Sequence, residues 1–492
     1  MSVTKGSLTK QDIHDLTVLI QQLYLEDSIP WVCGYSGGKD STAIVQLVWD
    51  AISQLPETRR NHKPIHIIST DTLVESPVVA AWVKRSLNQL RTEAEINGLP
   101  IQVHRLTPSI NNTYWVNLLG RGYPYPRRNF RWCTSRLKID PANHFIENMI
   151  SAAGEAILVL GTRKAESTTR KAVMDSYERR RIREHLSPNG SMPNSYVFSP
   201  IQEWTNDNVW QYLMQYPNPW GHSNKELLAM YRGATADGEC PLVLDTATPS
   251  CGNSRFGCWV CTLVAEDKSM AAMVHNDEEK AWMLPLLDFR NKIAADFETD
   301  RQRRDFRRRH GNLTYHKGRL VHGPYTKKTR EYLLQSLLEV EQYIKNEGPK
   351  ELEEHPLITM DELRAIRKLW LDEKHEFEDT LPRIYKEVTG QEFIDPTIPG
   401  NKYYGKEEWD ILSETCADLY PEQELLLEMQ SALLDIETRY NMQATRRGIN
   451  TSLEGAIKRA FFKNEEDALT FLVTHKDLND EPSYEDNEET GG

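Results

Sequence analysis

Long hydrophobic runs are missing from this 492-residue sequence, and no stretch approaches the ~20 consecutive apolar residues that a membrane-spanning helix needs. The first residues, MSVTKGSLTKQDIHDL, also lack the apolar core of a secretory signal peptide. We therefore expect no membrane association and a cytoplasmic location. A hydrophobic content of 39% and a charged content of 27% are typical of a globular protein.

Positive charge is in short supply. The sequence has 59 Lys and Arg against 72 Asp and Glu, for a formal net charge of −13. Binding to free duplex DNA depends on Lys and Arg neutralising phosphates, so the chain as a whole is not expected to bind DNA alone. Two local stretches are basic, ERRRIREH (178–185) and DRQRRDFRRRH (300–310), and each could be a solvated helix face or a contact surface.

Seven cysteines cannot all pair within one chain, and clustered cysteines in a cytosolic protein more often bind metal or perform chemistry. Four of them lie in the segment GECPLVLDTATPSCGNSRFGCWVC (238–261), with the spacing C-x₁₀-C-x₆-C-x₂-C. Four thiolates of this kind suit either zinc or a four-iron cluster, and the spacing alone does not decide between them. The predicted metal ligands are Cys240, Cys251, Cys258 and Cys261. Cys33 and Cys416 are expected to be core thiols.

Apolar strands alternate with helical patterns over the first part of the chain. Strands are predicted at 29–35, 64–70, 101–107, 156–162 and 196–201, and helices at 9–26, 42–53, 78–96 and 206–216. This alternation predicts an α/β fold with a doubly wound, mostly parallel sheet, whose ligands lie beyond the carboxyl ends of the strands. The predicted division is 1–216 for this domain, 217–322 for a cysteine-rich segment with a basic helix, 323–475 for a helical domain and 476–492 for a disordered acidic tail.

The stretch SGGKDST (36–42) ends the first predicted strand and begins the next helix. Its two glycines let the backbone approach a ligand closely, and the helix N-terminus favours an anion. Lys39 adds a positive charge, and three hydroxyl groups add donors. A Walker A loop would need glycine at 33 and Ser or Thr at 40, where Cys33 and Asp40 stand. The residues expected to bind phosphate are Ser36, Gly37, Gly38, Lys39, Asp40, Ser41 and Thr42.

This stretch resembles the PP-loop of the adenine-nucleotide alpha-hydrolase superfamily, whose members cut ATP into AMP and pyrophosphate. STDTLVES (69–76) follows the second strand, where that superfamily places an aspartate near the nucleotide. GTRKAESTTR (161–170) and PIQEWTNDNVWQYL (200–213) resemble segments of phosphoadenosine phosphosulfate reductases. The four matches cover roughly residues 1–215 and imply ATP as the ligand.

The resemblance also assigns roles to individual residues. Asp71 matches the nucleotide-proximal aspartate, and Gly161 begins the third stretch. Arg163 and Arg170 would share a face if their segment were helical, and could then clamp phosphate oxygens. Pyrophosphate release needs a divalent cation such as Mg²⁺, for which two carboxylates are expected ligands, although each could instead cap a helix. The predicted catalytic residues are Lys39, Asp40, Asp71, Arg163, Glu166 and Cys133, with Asp40 and Asp71 as the expected Mg²⁺ ligands.

Cys133 stands in RNFRWCTSRLKIDP (128–141), among basic residues that are expected to lower its thiol pKa. Sulfonucleotide reductases have a Cys-Cys pair here, which helps to hold an iron–sulfur cluster, whereas this chain has Thr134 in the second position. Their E-C-G-x-H motif is also absent from the sequence. A reductase-like activity is therefore the weaker alternative, and Cys133 is open as a sulfur relay, an anchor near the ligand or an inert thiol.

A PP-loop together with RWCT, GTRKAES and this cysteine series resembles the DndC family, the ATP-pyrophosphatase and iron–sulfur subunits of bacterial DNA phosphorothioation systems. The resemblance implies a sulfurtransferase with ATP pyrophosphatase activity and a [4Fe-4S] cluster on the four clustered cysteines, with zinc still open. It also implies DndD-like and DndE-like subunits, a cysteine desulfurase as sulfur donor, and DNA contacted through the complex. The alternatives are a PP-loop enzyme that thiolates tRNA and a non-catalytic nucleotide sensor with a structural zinc.

Overall fold

The structure, a computed structural model, describes most of the chain. The described residues are 7–127, 130–181, 183–234, 257–309, 311–316, 319–350, 356–396, 406–419, 423–441 and 446–474. The chain divides into two compact units, which we describe separately. The first unit comprises Met1–Tyr114, Tyr125–Ala294 and Glu339–Thr359, and the second comprises Trp115–Pro124, Ala295–Leu338 and Met360–Gly492. The four-part division expected from the sequence stays a prediction.

The first unit is built on a six-stranded sheet with the order β3-β2-β1-β4-β6-β5. The strands are β1 (Trp31–Gly34), β2 (Ile65–Thr70), β3 (Ile101–Leu106), β4 (Ala156–Val159), β5 (Ser187–Pro188) and β6 (Ser195–Phe198). All neighbours are parallel except β5, which runs antiparallel to β6. The predicted doubly wound, mostly parallel α/β fold is confirmed.

Helices of the first unit connect and cover these strands. They are α1 (Lys10–Glu26), α2 (Lys39–Ser53), α3 (Glu57–Arg60), α4 (Pro77–Ile96), α5 (Trp132–Thr134), α6 (Asp140–Ala153), α7 (Thr168–Glu178), α8 (Asn206–Gln215), α9 (Asn224–Gly233), α10 (Lys268–Asn276) and α11 (Leu284–Ile293). Helix α2 follows β1 and is buried along most of its length, because it carries apolar residues on nearly every side. Its N-terminus therefore has a fixed position at the carboxyl end of β1.

Short segments of tighter or wider helix interrupt the regular elements. Residues Ile110–Asn112, Lys164–Glu166 and Glu278–Met283 form 3₁₀ turns. Residues Val116–Gly120 in the second unit and Ser135–Ile139 in the first form π turns, which recur at functional sites in proteins.

The second unit is helical with one short hairpin. Its helices are α12 (Phe297–Gln302), α14 (Met360–Asp372), α15 (Thr380–Thr389), α16 (Lys406–Leu419), α17 (Gln423–Asn441), α18 (Ile449–Arg459) and α19 (Glu465–Thr474), and α13 (Lys327–Glu347) begins there. Strands β7 (Tyr315–His316) and β8 (Arg319–Leu320) form the hairpin. Across the described ranges, no helix combines the length and apolar character that crossing a membrane requires.

Where the structure describes them, both basic stretches lie mainly outside helices. Helix α7 ends at Glu178, and in the first unit Arg183 Nη2 lies 2.6 Å from Asp27 Oδ2. Helix α12 ends at Gln302, and in the second unit Arg307 Nε donates to Asp305 Oδ1 at 3.0 Å. The predicted basic helix is therefore wrong over most of 300–310, because these arginines pair with acids and carbonyls that hold irregular backbone.

Asp50 is expected to weaken the first unit at neutral pH. Burial raises the pKa of this carboxyl to about 6, although the Tyr212 hydroxyl, 3.3 Å away, acts in the opposite direction. The folded state thus holds the proton to higher pH than the unfolded state, so stability falls as the pH rises from the ordinary carboxyl pKa of 3.8 to about 6. We predict that Asp50→Asn raises the free energy of unfolding by about 1–2 kcal/mol above this window and leaves it unchanged below.

Denaturant unfolding on both sides of that pH window measures the effect. The exposed Asp288 on α11 gives the matched control Asp288→Asn, which should change stability equally little at both pH values. Equal stability of the wild type and Asp50→Asn at neutral pH would contradict the prediction.

Candidate active site

The loop that joins β1 to α2 requires glycine at its centre. Gly37 has a φ of +73°, and a Cβ there would lie 2.5 Å from Cγ2 of Val83, so both conformation and space are closed to other residues. Gly38 is the N-cap of α2 and contributes no side-chain cap. The 15-residue helix thus begins with main-chain donors at an open loop, an arrangement that favours a phosphate.

Serine hydroxyls hold the loop in shape. The Ser36 N–H donates to Ser41 Oγ at 3.1 Å, and Ser41 Oγ donates to the Gly38 carbonyl at 3.0 Å. Ser36 itself is exposed, so its hydroxyl remains accessible to a ligand. Thr42 is only 2% exposed and its N–H donates to the Gly38 carbonyl at 2.9 Å, so it presents no donor to the open side of the loop. Among the predicted phosphate-binding residues, Thr42 is the one that the structure directs into the core.

The stretch 161–170 packs directly against this loop. A Cβ at Gly161 would lie 3.0 Å from the carbonyl oxygen of Asp40, so only glycine allows this approach. Arg163 is 4% exposed, and its Nε donates to Asp40 Oδ1 at 2.7 Å. Its Nη1 donates to the Trp204 carbonyl at 3.3 Å. The sequence motifs 36–42, 161–170 and 200–213 therefore meet at one buried arginine.

The expected arginine clamp has a different geometry. Arg163 precedes the 3₁₀ turn Lys164–Glu166, whereas Arg170 lies on α7, whose N-cap is Ser167. The two arginines therefore do not share one helix face. Glu166 links them instead, since its Oε1 accepts from the Arg163 N–H at 3.0 Å and its Oε2 pairs with Arg170. Arg163 acts at the loop, and Arg170 lies at the surface behind it.

Both carboxylates expected to hold Mg²⁺ are engaged in ion pairs. Asp40 Oδ2 lies 2.9 Å from Lys39 Nζ, and its other oxygen pairs with Arg163. Asp71 accepts from the Leu73 N–H at 2.8 Å and from Arg105 Nε at 2.9 Å. A cation at either carboxylate would have to displace these partners, and their role as Mg²⁺ ligands stays a prediction.

The C-x-x-C turn is attached to the chain that leaves β2. The Trp259 N–H donates to the Val74 carbonyl at 3.0 Å, and the Ser76 N–H donates to the Gly257 carbonyl at 3.2 Å. Between these two hydrogen bonds, the backbone of Cys258 forms an isolated antiparallel β-bridge with Glu75. The Cys258 Sγ atom lies 3.4 Å from Thr72 Oγ1. Because β2 lies beside β1, the thiols share the carboxyl edge of the sheet with the glycine loop.

Cys133 belongs to the same group of thiols. Burial by itself would lower the pKa of the Lys138 ammonium, but the negative charges of Cys258, Glu75, Cys261 and Cys133 outweigh it and raise that pKa. Lys138 therefore lies among all three cysteines, on the π turn that follows Cys133. In the sequence, Cys133 and the C-x-x-C pair belong to separate motifs. No residue spacing shows that they lie close together in the folded chain.

The expected activation of Cys133 is wrong. Burial raises the pKa of its thiol, and the nearby charge of Cys261 adds to this, while Lys138 acts in the opposite direction. Burial likewise raises the pKa of Cys258 to about 11 and that of Glu75 to about 7. For Cys133 and Cys258, desolvation thus outweighs the basic neighbours and favours the protonated thiol when no metal is bound.

The donor set suits a metal that binds thiolates. Half-buried thiols beside a cation would gain most from a centre that stabilises the deprotonated form, as iron–sulfur clusters and zinc do. Over the described residues, no three Cys, His, Asp or Glu side chains are arranged as a metal site. Cys240 and Cys251 lie outside the described residues. The four-cysteine ligand set stays a prediction, for which the structure describes the environment of Cys258 and Cys261.

Arg290 fixes the position of the C-x-x-C turn. This residue is 1% exposed, and its Nη2 and Nε donate to the Cys261 carbonyl at 2.9 and 3.0 Å. Nη1 donates to the Ala265 carbonyl at 2.8 Å, and Nη2 also donates to Val264. We predict that Arg290→Met lowers the free energy of unfolding by about 3 kcal/mol, because several buried carbonyls lose their donors.

The same variant should expose the thiols. We expect Cys258 and Cys261 to react faster with a disulfide reagent in Arg290→Met, as followed by the rate of chromophore release under native conditions. Arg290→Lys keeps the charge but not the forked geometry, so it should recover only part of the loss. Unchanged unfolding and unchanged thiol reactivity in Arg290→Met would contradict this role.

Two residues that contact predicted site residues had no signal in the sequence. Tyr231, on α9, has its hydroxyl 3.4 Å from the Lys39 N–H, and the Lys39 ammonium lies 5.6 Å from the centre of its ring. Arg105, on β3, pairs with Asp71. Both reach the site through tertiary packing, and neither stands in a motif.

Comparisons with known proteins agree with the motif-based expectation of the domain type. Residues 30–220 match the phosphoadenosine phosphosulfate reductase domain. The chain thus contains a PP-loop domain of the phosphoadenosine phosphosulfate reductase type. The match covers less than half of the 492 residues, so it describes this domain and not the whole chain.

Individual relatives are distant. A protein of unknown function from Methanocaldococcus jannaschii is 24% identical over 201 residues, which are 41% of this chain and 35% of that protein. The chain therefore spans about a third of that relative's length.

Two solved structures show only weak similarity. They are the Candida glabrata FMN adenylyltransferase in complex with FMN and the ATP analogue AMPCPP, and the U34-tRNA thiolase NcsA from Methanococcus maripaludis with its [4Fe-4S] cluster. The match to the adenylyltransferase has 12% sequence identity and a TM-score of 0.27, and it covers 49% of this chain and 66% of the adenylyltransferase chain. The match to the thiolase has 12% sequence identity and a TM-score of 0.26, and it covers 60% of this chain and 86% of the thiolase chain. Values this low carry no argument about fold or function.

Proposed function

We propose that this chain cleaves ATP to AMP and pyrophosphate in order to activate a DNA backbone phosphate for sulfur transfer. The observation that carries the proposal is the shared position of the glycine loop and the thiols at one edge of the sheet. The loop 36–42 follows β1, and the C-x-x-C turn is hydrogen-bonded to residues 74–76 after the neighbouring strand β2. An enzyme that couples nucleotide cleavage to sulfur chemistry needs these two groups close together.

The loop would bind the outer phosphates of ATP. Main-chain donors at the start of α2, together with the Lys39 ammonium, would stabilise the charge that grows on departing pyrophosphate. Arg163 holds Asp40 and with it the first turn of α2, at 2.7 Å from the carboxylate. In this scheme a non-bridging oxygen of the DNA phosphate attacks the α-phosphorus, the α–β anhydride bond breaks, and the DNA phosphate carries AMP as its leaving group.

Sulfur would then replace that oxygen. The terminal sulfur of a cysteine persulfide, supplied by a cysteine desulfurase, forms the new P–S bond while the P–O bond to AMP breaks. A thiol of a cellular reductant attacks the persulfide sulfur still bound to the protein, which releases the phosphorothioate and leaves a mixed disulfide that a second thiol of the reductant resolves. When bound, a [4Fe-4S] cluster would supply a redox-active centre that keeps its cysteine ligands deprotonated.

Partner subunits are part of the proposal. The formal net charge of −13 disfavours independent binding to a polyanion, so DndD-like and DndE-like subunits would present the DNA. The direct test is to incubate the purified protein with ATP and Mg²⁺ and to identify the products. AMP and pyrophosphate are expected, whereas ADP and phosphate as the only products would contradict the proposed reaction.

Thiolation of tRNA is the second candidate, and one observation favours it. Among the described residues, the thiols group as a C-x-x-C pair plus one further cysteine, Cys133, which is the signature that such thiolases commonly show. Both candidates predict AMP formation, so the nucleic acid must be examined. Mass spectrometry of DNA and tRNA from cells with and without the gene separates them, because phosphorothioate dinucleotides indicate the first and thiolated nucleosides the second.

A further inference from the structure

The second unit contains a cavity of about 1360 Å³ with no part in the proposed reaction. It is formed by the irregular chain and helix start at 302–330, the connection 372–378 between α14 and α15, and helices α16, α17 and α18. This volume exceeds the ~300–1,000 Å³ of typical small-ligand pockets, so a nucleotide or a segment of polymer would fit. Phe306, Trp409 and Tyr440 contribute aromatic surface to its lining.

Lys374 lines this cavity, and it takes part in no ion pair between the described residues. The residue follows α14, and its N–H donates to the Leu369 carbonyl at 3.1 Å, which fixes the backbone. Over the described part of the second unit, its ammonium has neither an ion-pair nor a hydrogen-bond partner. Burial lowers the pKa of Lys374 to about 7, and the charge of Arg330 is the next contribution in the same direction.

Three arginines surround Lys374, and their acidic neighbours are already occupied. Arg330 pairs with Glu376, with Nη1 at 3.3 Å from Oε2, and Arg309 pairs with Glu373 at 3.0 Å. Arg459 donates to the Arg309 carbonyl, and burial together with Arg307 and Arg309 outweighs the nearby acids to lower its pKa. Glu376 is the acid whose charge acts on Lys374, but it already pairs with Arg330. Its single negative charge cannot balance the positive charges of both residues.

An unpaired buried cation costs free energy, and an anion placed among such cations would recover it. Forked guanidinium groups bind phosphate oxygens in pairs, and a lysine adds a point charge. We propose that this cavity binds a phosphate ester through Lys374, Arg309, Arg330 and Arg459. The aromatic side chains of the lining would pack against an attached base, as they do where proteins bind nucleotides or single strands. The ester could belong to a free nucleotide or to a nucleic-acid backbone.

The test compares Lys374→Met with Lys368→Met in the full-length protein. Lys368 is exposed on α14, so its replacement removes the same charge outside the cavity. The probes are AMP, measured by calorimetry, and a short fluorescein-labelled single-stranded oligodeoxynucleotide, measured by anisotropy at several salt concentrations. Both measurements use the Lys39→Met background, so that the glycine loop of the first unit contributes little.

We expect Lys374→Met to weaken binding at least about tenfold and Lys368→Met to change it less than about twofold. For the oligonucleotide, the slope of log affinity against log salt should also fall by about one contact. Loss of AMP binding alone identifies a free nucleotide, and loss of oligonucleotide binding identifies a nucleic-acid backbone. The proposal is overturned if the Lys39→Met protein with an unchanged cavity binds neither probe. It is also overturned if the Lys374→Met and Lys368→Met variants bind the probes with equal affinity.

Misfolding cannot imitate the expected result. Lys374→Met removes a half-buried, desolvated charge, so its thermal unfolding temperature should rise, and added probe should raise that temperature further only when Lys374 is present. ATP cleavage in the absence of nucleic acid should be unchanged when Lys374→Met is made alone. The outcome is thus separable from a failure of the proposed reaction, which would leave the cavity measurements intact.

Discussion

Replacing Lys39 with methionine is expected to lower the rate of AMP and pyrophosphate formation by a factor of about 10²–10³. Lys39 is the first residue of α2, and its ammonium is the one cation that the described loop 36–42 carries. Its positive charge would stabilise pyrophosphate as the anhydride bond breaks. The measurement is the initial rate of AMP formation from α-labelled ATP, at saturating nucleotide and Mg²⁺.

Folding should survive the Lys39 substitution, because Arg163 still pairs with Asp40 at 2.7 Å after the lysine is lost. The control is Lys225→Met, which removes an exposed lysine from α9, the helix that carries Tyr231. That variant should retain the wild-type rate and unfolding temperature. A Lys39→Met protein with the wild-type rate would show that the loop does not act on the reacting phosphates.

Replacing Cys258 with serine is expected to abolish metal binding and sulfur transfer together. Its half-buried thiol lies beside Thr72 and near the charge of Lys138, and serine cannot replace a thiolate as a ligand for iron or zinc. After anaerobic purification, iron, zinc and acid-labile sulfide should each fall to the background level of the metal-free protein. Phosphorothioate in the DNA of cells that carry the variant should disappear as well.

A set of cysteine variants separates the possible ligand sets. Cys416→Ser should retain full metal content, because Cys416 is a core thiol of the second unit, 4% exposed. Loss of metal in Cys133→Ser would assign Cys133 as a ligand beside the C-x-x-C pair. Loss in Cys240→Ser and Cys251→Ser, with retention in Cys133→Ser, would instead support the set expected from sequence spacing. Full metal content in Cys258→Ser would contradict both.

Much of the fold could be predicted from local patterns. The run at 64–70 becomes β2 (Ile65–Thr70), because a mostly apolar segment between polar turns is typical of a buried parallel strand. The run at 101–107, which mixes apolar and polar residues, becomes the partly exposed edge strand β3 (Ile101–Leu106). The glycine pair at 37 and 38 indicated the loop after β1, since the required conformation is a property of the residue itself. These features depend on residues that are close together in the sequence, and they can therefore be predicted from it.

The site was harder to predict where burial decides the chemistry. The basic neighbours of Cys133 suggested an activated thiol, but charge patterns do not show how deeply a side chain lies, and desolvation raises its pKa instead. Thr42 looked like a hydroxyl donor, yet the helix directs it into the core at 2% exposure. The position of Tyr231 beside Lys39 depends on how α9 packs. No spacing of residues in the sequence predicts that packing.

The central claim is that the glycine loop binds ATP with its inner anhydride bond beside the thiols. A crystal structure with α,β-methylene ATP, which cannot be cleaved at that bond, tests it most directly. The account predicts β- and γ-phosphates at the N-terminus of α2, in contact with Lys39 and the main chain of residues 36–39, and the α-phosphate towards Cys133 and Cys258. An empty loop with the nucleotide bound elsewhere would contradict the account.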